Sequence, residues 1–304
     1  SYNQDGTLKT DSNEVTTDTL YDIASLECTE EYLWPQSMPS IVPDDKDIPL
    51  AIFNDSEEGR KARKYREKLI KKYGGKKQLI SGIHFNFSFN EEIIKELYKN
   101  YTGVENYKEF KNNLYLKVTR NYLRYRWLLI YLLGASSKAH ESFYQEYDES
   151  SNDGVISYRN GEFGYKNDVD IFPNYNSIEE YIASINNLIK NNHLDSPKEL
   201  YSSIRLKSKN KDNILTSLKE DGINYLEFRS IDLNPYEKCG VSLKDLEFLQ
   251  LFNYYCLLKE EESFNSWQEE ALNNAQKIAQ GGLKDITLMH NGVEVYKEKW
   301  GLEI

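Results

Sequence analysis

The 304-residue chain is short of cysteine, of basic charge and of long apolar runs, and each shortage removes a class of protein. Its three cysteines, Cys28, Cys239 and Cys256, lie far apart with no CxxC pair. So sparse and odd a set argues against a disulfide framework and fits a reducing cytoplasm. Lys and Arg number 38 against 49 Asp and Glu, a net charge of -11, which disfavours sequence-independent nucleic-acid binding. The longest apolar run, "WLLIYLLGA" (127–135), falls well short of the ~20 residues that span a bilayer and reads as a core helix. Neither a P-loop nor a G-x-G-x-x-G occurs, so a nucleotide would have to be held by other means. The chain opens at Ser1 without methionine and ends abruptly at "EKWGLEI". Both ends read as cuts or as places where the protein continues.

Tyrosine, by contrast, is abundant: 24 residues, each offering apolar area with a polar tip. Strand and helix signals are mixed without a βαβ rhythm, so the class is α+β, and with no internal repeat a single domain over 1–304 is expected. Asp5-Gly6 is a hairpin turn signal whose first strand should lie upstream. A helix is expected from Asp18 to about Trp34, where Pro35 stops it, followed by a proline-spaced loop. Residues 56–73 form a lysine-rich amphipathic helix ended by Gly74-Gly75, read as a solvated face in preference to a polyanion site. Asn90, Asn106 and Ser177 are N-caps of three further helices, the second running to Gly134, and Ser242 opens another over 242–258. The stretch 141–176 is irregular.

Two segments combine an apolar face with a stripe of functional groups. In "IHFNFSF" (83–89), Ile83, Phe85, Phe87 and Phe89 alternate with His84, Asn86 and Ser88, the period of a half-buried strand. In "YLEFRSIDLNP" (225–235), Tyr225, Glu227 and Arg229 share one face and Leu226 and Phe228 the other. Two readings of Glu227 and Arg229 stand side by side: an ion pair on a wet sheet, or groups that hold a cation and face a phosphoryl group. His84 is a satisfied histidine or a metal ligand, and as a ligand for Mg²⁺ it would need added carboxylates. Arg159 and Tyr165 flank Gly161 and Gly164, which serve either a plain turn or a pocket that grips a carboxylate.

Taken in order, "YLWPQSMP" (32–39), "YREKLIKKYGGKKQLISGIHFNFSF" (65–89), "RNYLRYRWLLIYLLGAS" (120–136), "YRNGEFGYKN" (158–167) and "YLEFRSIDLNPYEKCGV" (225–241) resemble bacterial glutamate–cysteine ligases. The similarity includes the branch that forms the ligase module of fused glutathione-synthesising enzymes. It implies a glutamine-synthetase-like α+β fold with a curved, largely antiparallel sheet. The implied reaction joins the γ-carboxylate of glutamate to the amine of cysteine, with ATP and Mg²⁺ or Mn²⁺, in the first step of glutathione synthesis. The implied partners are these small molecules and a fused or separate glutathione synthetase domain, with neither nucleic acid nor membrane. On the matching motifs, His84 and Glu227 are the expected metal ligands, and Glu227 and Arg229 the catalytic pair. Tyr65, Arg66 and Gln78 fall near the amino-acid substrates, and Arg159, Tyr165 and Tyr201 at the cysteine pocket, with Arg159 as carboxylate clamp.

The chain departs from the family pattern in three places. The E-x-E strand expected before "NQDGTL" and a second acidic segment expected around residues 11–18 are not found, and Gly161-Glu162 stand where the family has Ser-Asp. A working ligase whose missing acidic segments lie outside this sequence is the favoured explanation. The competing one is a non-catalytic amino-acid-binding or scaffolding relative that no longer holds Mg-ATP.

Overall fold

The computed structural model describes residues 7–9, 14–27, 30, 32–103, 106–144, 153–167, 169–210 and 212–304. In chain order the elements are β1 (Thr7–Lys9), β2 (Glu14–Thr16), α1 (Thr17–Glu27), α2 (Glu57–Tyr73), β3 (Ile83–Phe87), α3 (Glu91–Lys99), α4 (Tyr107–Leu133) and α5 (Ile178–Lys190). They continue with β4 (Ile204–Lys207), α6 (Ile214–Asp221), β5 (Tyr225–Ile231), α7 (Leu243–Leu258), α8 (Trp267–Gly281), β6 (Thr287–His290), β7 (Val293–Tyr296) and α9 (Lys297–Glu303). Among the described residues every strand pair is antiparallel, in one sheet of order β3-β5-β4 and two hairpins, β1-β2 and β6-β7. The α+β expectation holds.

The caps fall where the sequence places them. Ser56, Asn90, Asn106, Ser177 and Ser242 each accept a backbone N–H of the first turn, and Ser242 with Asp245 closes a capping box. α4 is the spine. It is buried over most of its surface, and Tyr115, Leu116, Val118 and Trp127 are fully buried between the sheet, α7 and α8. Trp127→Ala would cost about 3–5 kcal/mol in lost transfer and cavity terms. Phe85, Phe87, Leu226, Phe228, Ile204 and Leu206 form the inner face of the sheet against this spine, so the opposite face is turned away from the core.

The strand after Asp5-Gly6 pairs forward, Leu8 opposite Val15, while the Asp5-Gly6 turn and the strand expected before it lie outside the described residues. Two boundaries differ from expectation. α1 ends at Glu27 and not near Trp34, because Tyr32, Leu33 and Trp34 are 97 %, 40 % and 50 % exposed and have no core to bury a helical face. β3 stops at Phe87: the Phe89 N–H donates to the Tyr115 hydroxyl at 3.1 Å instead of to a strand, and Asn90 then starts α3. Cys28 lies outside the described residues, and Cys256 is a buried free thiol. No helix among the described residues is long and apolar enough to cross a membrane.

Candidate functional site

The outward face of the sheet carries His84 and Asn86 on β3, Tyr225, Glu227 and Arg229 on β5, and Arg205 and Lys207 on β4. Asn86, Glu227 and Arg205 form one row across all three strands. Beside that row the register shifts. Ile83 pairs with Ile231 and Phe85 with Phe228, so Arg229 and Ser230 together stand opposite the single residue His84. This is a β-bulge, which lets neighbouring side chains take separate directions. Ser230 turns into the core and hydrogen-bonds the Tyr122 hydroxyl, while Arg229 turns out and its Nε donates to His84 Nε2 at 3.4 Å. The proton of a neutral His84 then belongs on Nδ1.

Arg229 lies 5.3 Å over the Tyr201 ring, with its Nε 3.5 Å from Glu227 Oε1. Burial, and then the neighbouring Arg205, hold its guanidinium below its usual value. Burial, and then the Arg229 charge, likewise depress His84, so the imidazole is neutral at pH 7. Glu227 feels the opposite balance. Burial pushes its carboxyl up, but the 2.7 Å ion pair with Lys207 and the charges of Arg229 and Arg205 outweigh it, and it stays ionised.

A cleft opens over this face between α2, the 77–82 segment and the loops that carry Arg159, Tyr165 and Tyr201. Tyr65, Arg66, Gln78, His84, Arg159, Tyr165, Tyr201 and Arg229 all line it. The structure therefore brings together eight side chains that the sequence scatters over 165 positions. The ninth expected residue, Glu227, lies on the same sheet face beside the cleft, tied to Lys207. Sequence reasoning missed Lys77, Lys198, Glu199 and the placement of Arg205, which also line the cleft. A four-residue strand, "IRLK", alternates too briefly to announce that Arg205 faces outward.

Most telling are the donors left over. Gln78 Nε2, Arg159 Nη1, Arg205 Nε and Arg229 Nη1 are each buried and have no hydrogen-bond partner in the protein, and all four residues line this one cleft. Buried polar groups are nearly always paired, so a cluster of orphaned donors marks a place for acceptors that arrive from outside. Arg159 shows how this is arranged. Its Nη2 donates to the Arg229 carbonyl, Asp232 stands 3.8 Å from its Nη1, and the Nη1 donor itself stays unspent. Gly82 makes the fit possible, since a Cβ there would sit 2.3 Å from Arg159 Cζ. Among the described residues the one carboxylate on the lining, Glu199, is already saturated by Lys72, Tyr73 and the Asp195 N–H.

A divalent cation fits this lining poorly. Arg229 stands between His84 and Glu227, and among the described residues no group of three His, Cys, Asp or Glu could hold a metal. The expected metal pair thus lacks further carboxylates among the described residues, and the chemistry of those residues rests on guanidinium groups.

Such a cleft defines a class of site: an arginine-lined surface of an antiparallel sheet that collects several anions at once. The chain matches the model of one protein family, Glutamate-cysteine ligase, over residues 7–195 and 187–278, and it belongs to that family. It is 44% identical over 295 residues to the glutathione biosynthesis bifunctional protein of Clostridium perfringens, which covers 93% of this chain and 37% of that one. It is 35% identical over 291 residues to the glutamate–cysteine ligase of Clostridium acetobutylicum, covering 82% of this chain and 60% of that one. Among solved structures, the glutamate–cysteine ligase of Francisella tularensis in complex with AMP is similar with a TM-score of 0.83 at 25% identity, over 93% of this chain and 64% of that one. The bifunctional glutathione synthetase of Pasteurella multocida gives a TM-score of 0.75 at 31% identity, over 87% of this chain and 34% of that one. The chain thus spans 37% of the length of the bifunctional relative from Clostridium perfringens.

Proposed function

We propose that the chain is a ligase module that joins the γ-carboxylate of glutamate to the amine of cysteine at the expense of ATP, the first step of glutathione synthesis. The observation that carries this reading is the convergence of four orphaned donors on a cleft lined by eight of the nine family-matched residues. A carboxylate is a poor electrophile, so ATP transfers its terminal phosphoryl group to the γ-carboxylate and leaves as ADP. The cysteine amine then attacks the carbonyl carbon of the γ-glutamyl phosphate, the C–O bond to phosphate breaks, and the amine gives up a proton. Arg229 neutralises the phosphoryl oxygens in transit, being buried, pre-oriented by Tyr201 and still holding a free Nη1. Arg159 Nη1 takes the α-carboxylate of cysteine beside Tyr165 and Tyr201, and Tyr65, Arg66 and Gln78 position the amino-acid substrates.

The described residues do not by themselves fit Mg²⁺ or Mn²⁺, since Arg229 stands between His84 and Glu227, so neutralisation of the phosphoryl charge falls to the guanidinium groups of the cleft. The bifunctional relatives support a glutathione synthetase domain as fused or separate partner, and the free thiol of the buried Cys256 supports a cytoplasmic setting. The test is ADP release by the protein with ATP, glutamate and cysteine, with each amino acid omitted in turn. Release that needs both substrates supports the ligase. Amino-acid binding by calorimetry without any ADP release would favour a non-catalytic module.

A further inference from the structure

Behind the cleft lies a second chamber whose inner end, at Arg126, the ligation chemistry leaves unused. It shares the wall made by Arg159, Tyr165, Tyr201 and Arg229, and it runs back between α4 and α8 to Arg126. Arg126 is 8 % exposed, yet among the described residues no carboxylate pairs with it. The groups that act on its charge are the phenols of Tyr122 and Tyr175. A guanidinium is always charged, so burying it without a counter-charge is costly and is retained where an anion arrives with a ligand. A second, independent sign stands in the same lining: Ser203 Oγ is buried and unpartnered.

The rest of the chamber says what the anion is attached to. Leu123, Phe172 and Leu272 give it an apolar wall, which suits a short hydrocarbon body and repels a free, fully hydrated inorganic ion. The planar fork of one arginine matches the two oxygens of a carboxylate. We propose that this chamber is a binding site for a small monocarboxylic acid, its carboxylate on Arg126 and its apolar end against Leu123, Phe172 and Leu272. The site borders the ligation cleft across the shared wall, and its test does not depend on ligase activity.

Calorimetric titration of the full chain with acetate, propionate and butyrate at fixed ionic strength reads the site directly, with inorganic phosphate as control. Saturable binding is expected, tightening about fourfold per added methylene. Arg126→Met should weaken butyrate about tenfold or more, because it removes the charge-assisted bonds and keeps the side-chain volume. Leu272→Trp, on a half-buried position of α8, should abolish binding by filling the chamber while leaving Arg126 in place. The melting temperature of unliganded Arg126→Met should rise, since a lone buried charge is gone. A fall would make Arg126 a structural residue and overturn the proposal. So would absent binding, equal affinity for acetate and butyrate, an unaffected Arg126→Met variant, or tighter binding of phosphate.

Discussion

Replacing Glu199 by Gln tests whether the cleft is held open by one buried carboxylate. Glu199 is 4 % exposed and accepts from Lys72 Nζ at 2.5 Å, Tyr73 Oη at 2.6 Å and the Asp195 N–H at 2.6 Å. Asn167 extends the network. Its amide donates to the Tyr73 hydroxyl and the Glu199 carbonyl at 3.2 Å each, and its oxygen accepts the Tyr201 N–H at 2.8 Å. One carboxylate thereby fixes α2, which carries Tyr65 and Arg66, to the loops that carry Tyr165 and Tyr201. Gln keeps the volume but removes the charge and turns one acceptor into a donor. Cutting a fully buried ion pair costs about 3–5 kcal/mol. The Lys72 side chain is 33% exposed, so water recovers part of that, and about 2–3 kcal/mol is expected at pH 7. Burial raises the Glu199 carboxyl, but its three donors outweigh burial and hold it below the ordinary value. A depressed folded pKa confers stability that is present above the unfolded value of about 4.3 and is lost as pH falls through the lower folded value. Urea melts of both proteins at pH 7 and near pH 3 should therefore show a wide gap that closes in acid. A gap under about 0.5 kcal/mol at neutral pH, or one equal at both pH values, refutes the reasoning.

Arg229→Lys keeps the charge but loses the planar fork, and should lower the ligation rate about 100-fold or more with little change in melting temperature; a rate near wild type removes Arg229 from the phosphoryl position. His84 should titrate by NMR below the ordinary histidine value of about 6.5, and Arg229→Gln should move that midpoint up by removing a repelling charge. Because the folded pKa is the lower one, His84 costs stability as pH falls below about 6.5, and His84→Gln should flatten that limb of the stability profile. Gly82→Ala drives a methyl group against the Arg159 guanidinium and should raise KM for cysteine about tenfold while kcat changes less; an unchanged KM would mean that Arg159 is not the clamp.

How much of this was legible beforehand follows from the range of each interaction. The alternation around His84 and around Glu227 is local, and it marked both outward-facing stripes correctly. The caps at Asn106 and Ser177 are equally local, and the helices they open begin at Tyr107 and Ile178. The bulge is not local: it is a property of two strands in register, and neither "IHF" nor "FRSI" declares it alone. Glu199 was hidden for the same reason, since its partners Lys72 and Tyr73 lie 127 and 126 positions away. The end of α1 was misplaced because "YLWP" is apolar enough for a buried helix, while the described fold offers those rings no core.

The bulge also explains why an acidic protein concentrates positive charge at one place. In a regular ladder continued from Asn86–Glu227 and Phe85–Phe228, Arg229 would pair directly with His84 and Ser230 with Ile83. With two residues facing one, Arg229 tips toward His84 without dragging Ser230 from Tyr122, so the guanidinium is anchored by Nε and its Nη1 is left unspent. Arg159 is anchored in turn on the Arg229 carbonyl. Each arginine is thus fixed by one edge of its fork and offers the other, which is how a rigid site binds anions without first paying to order its own side chains.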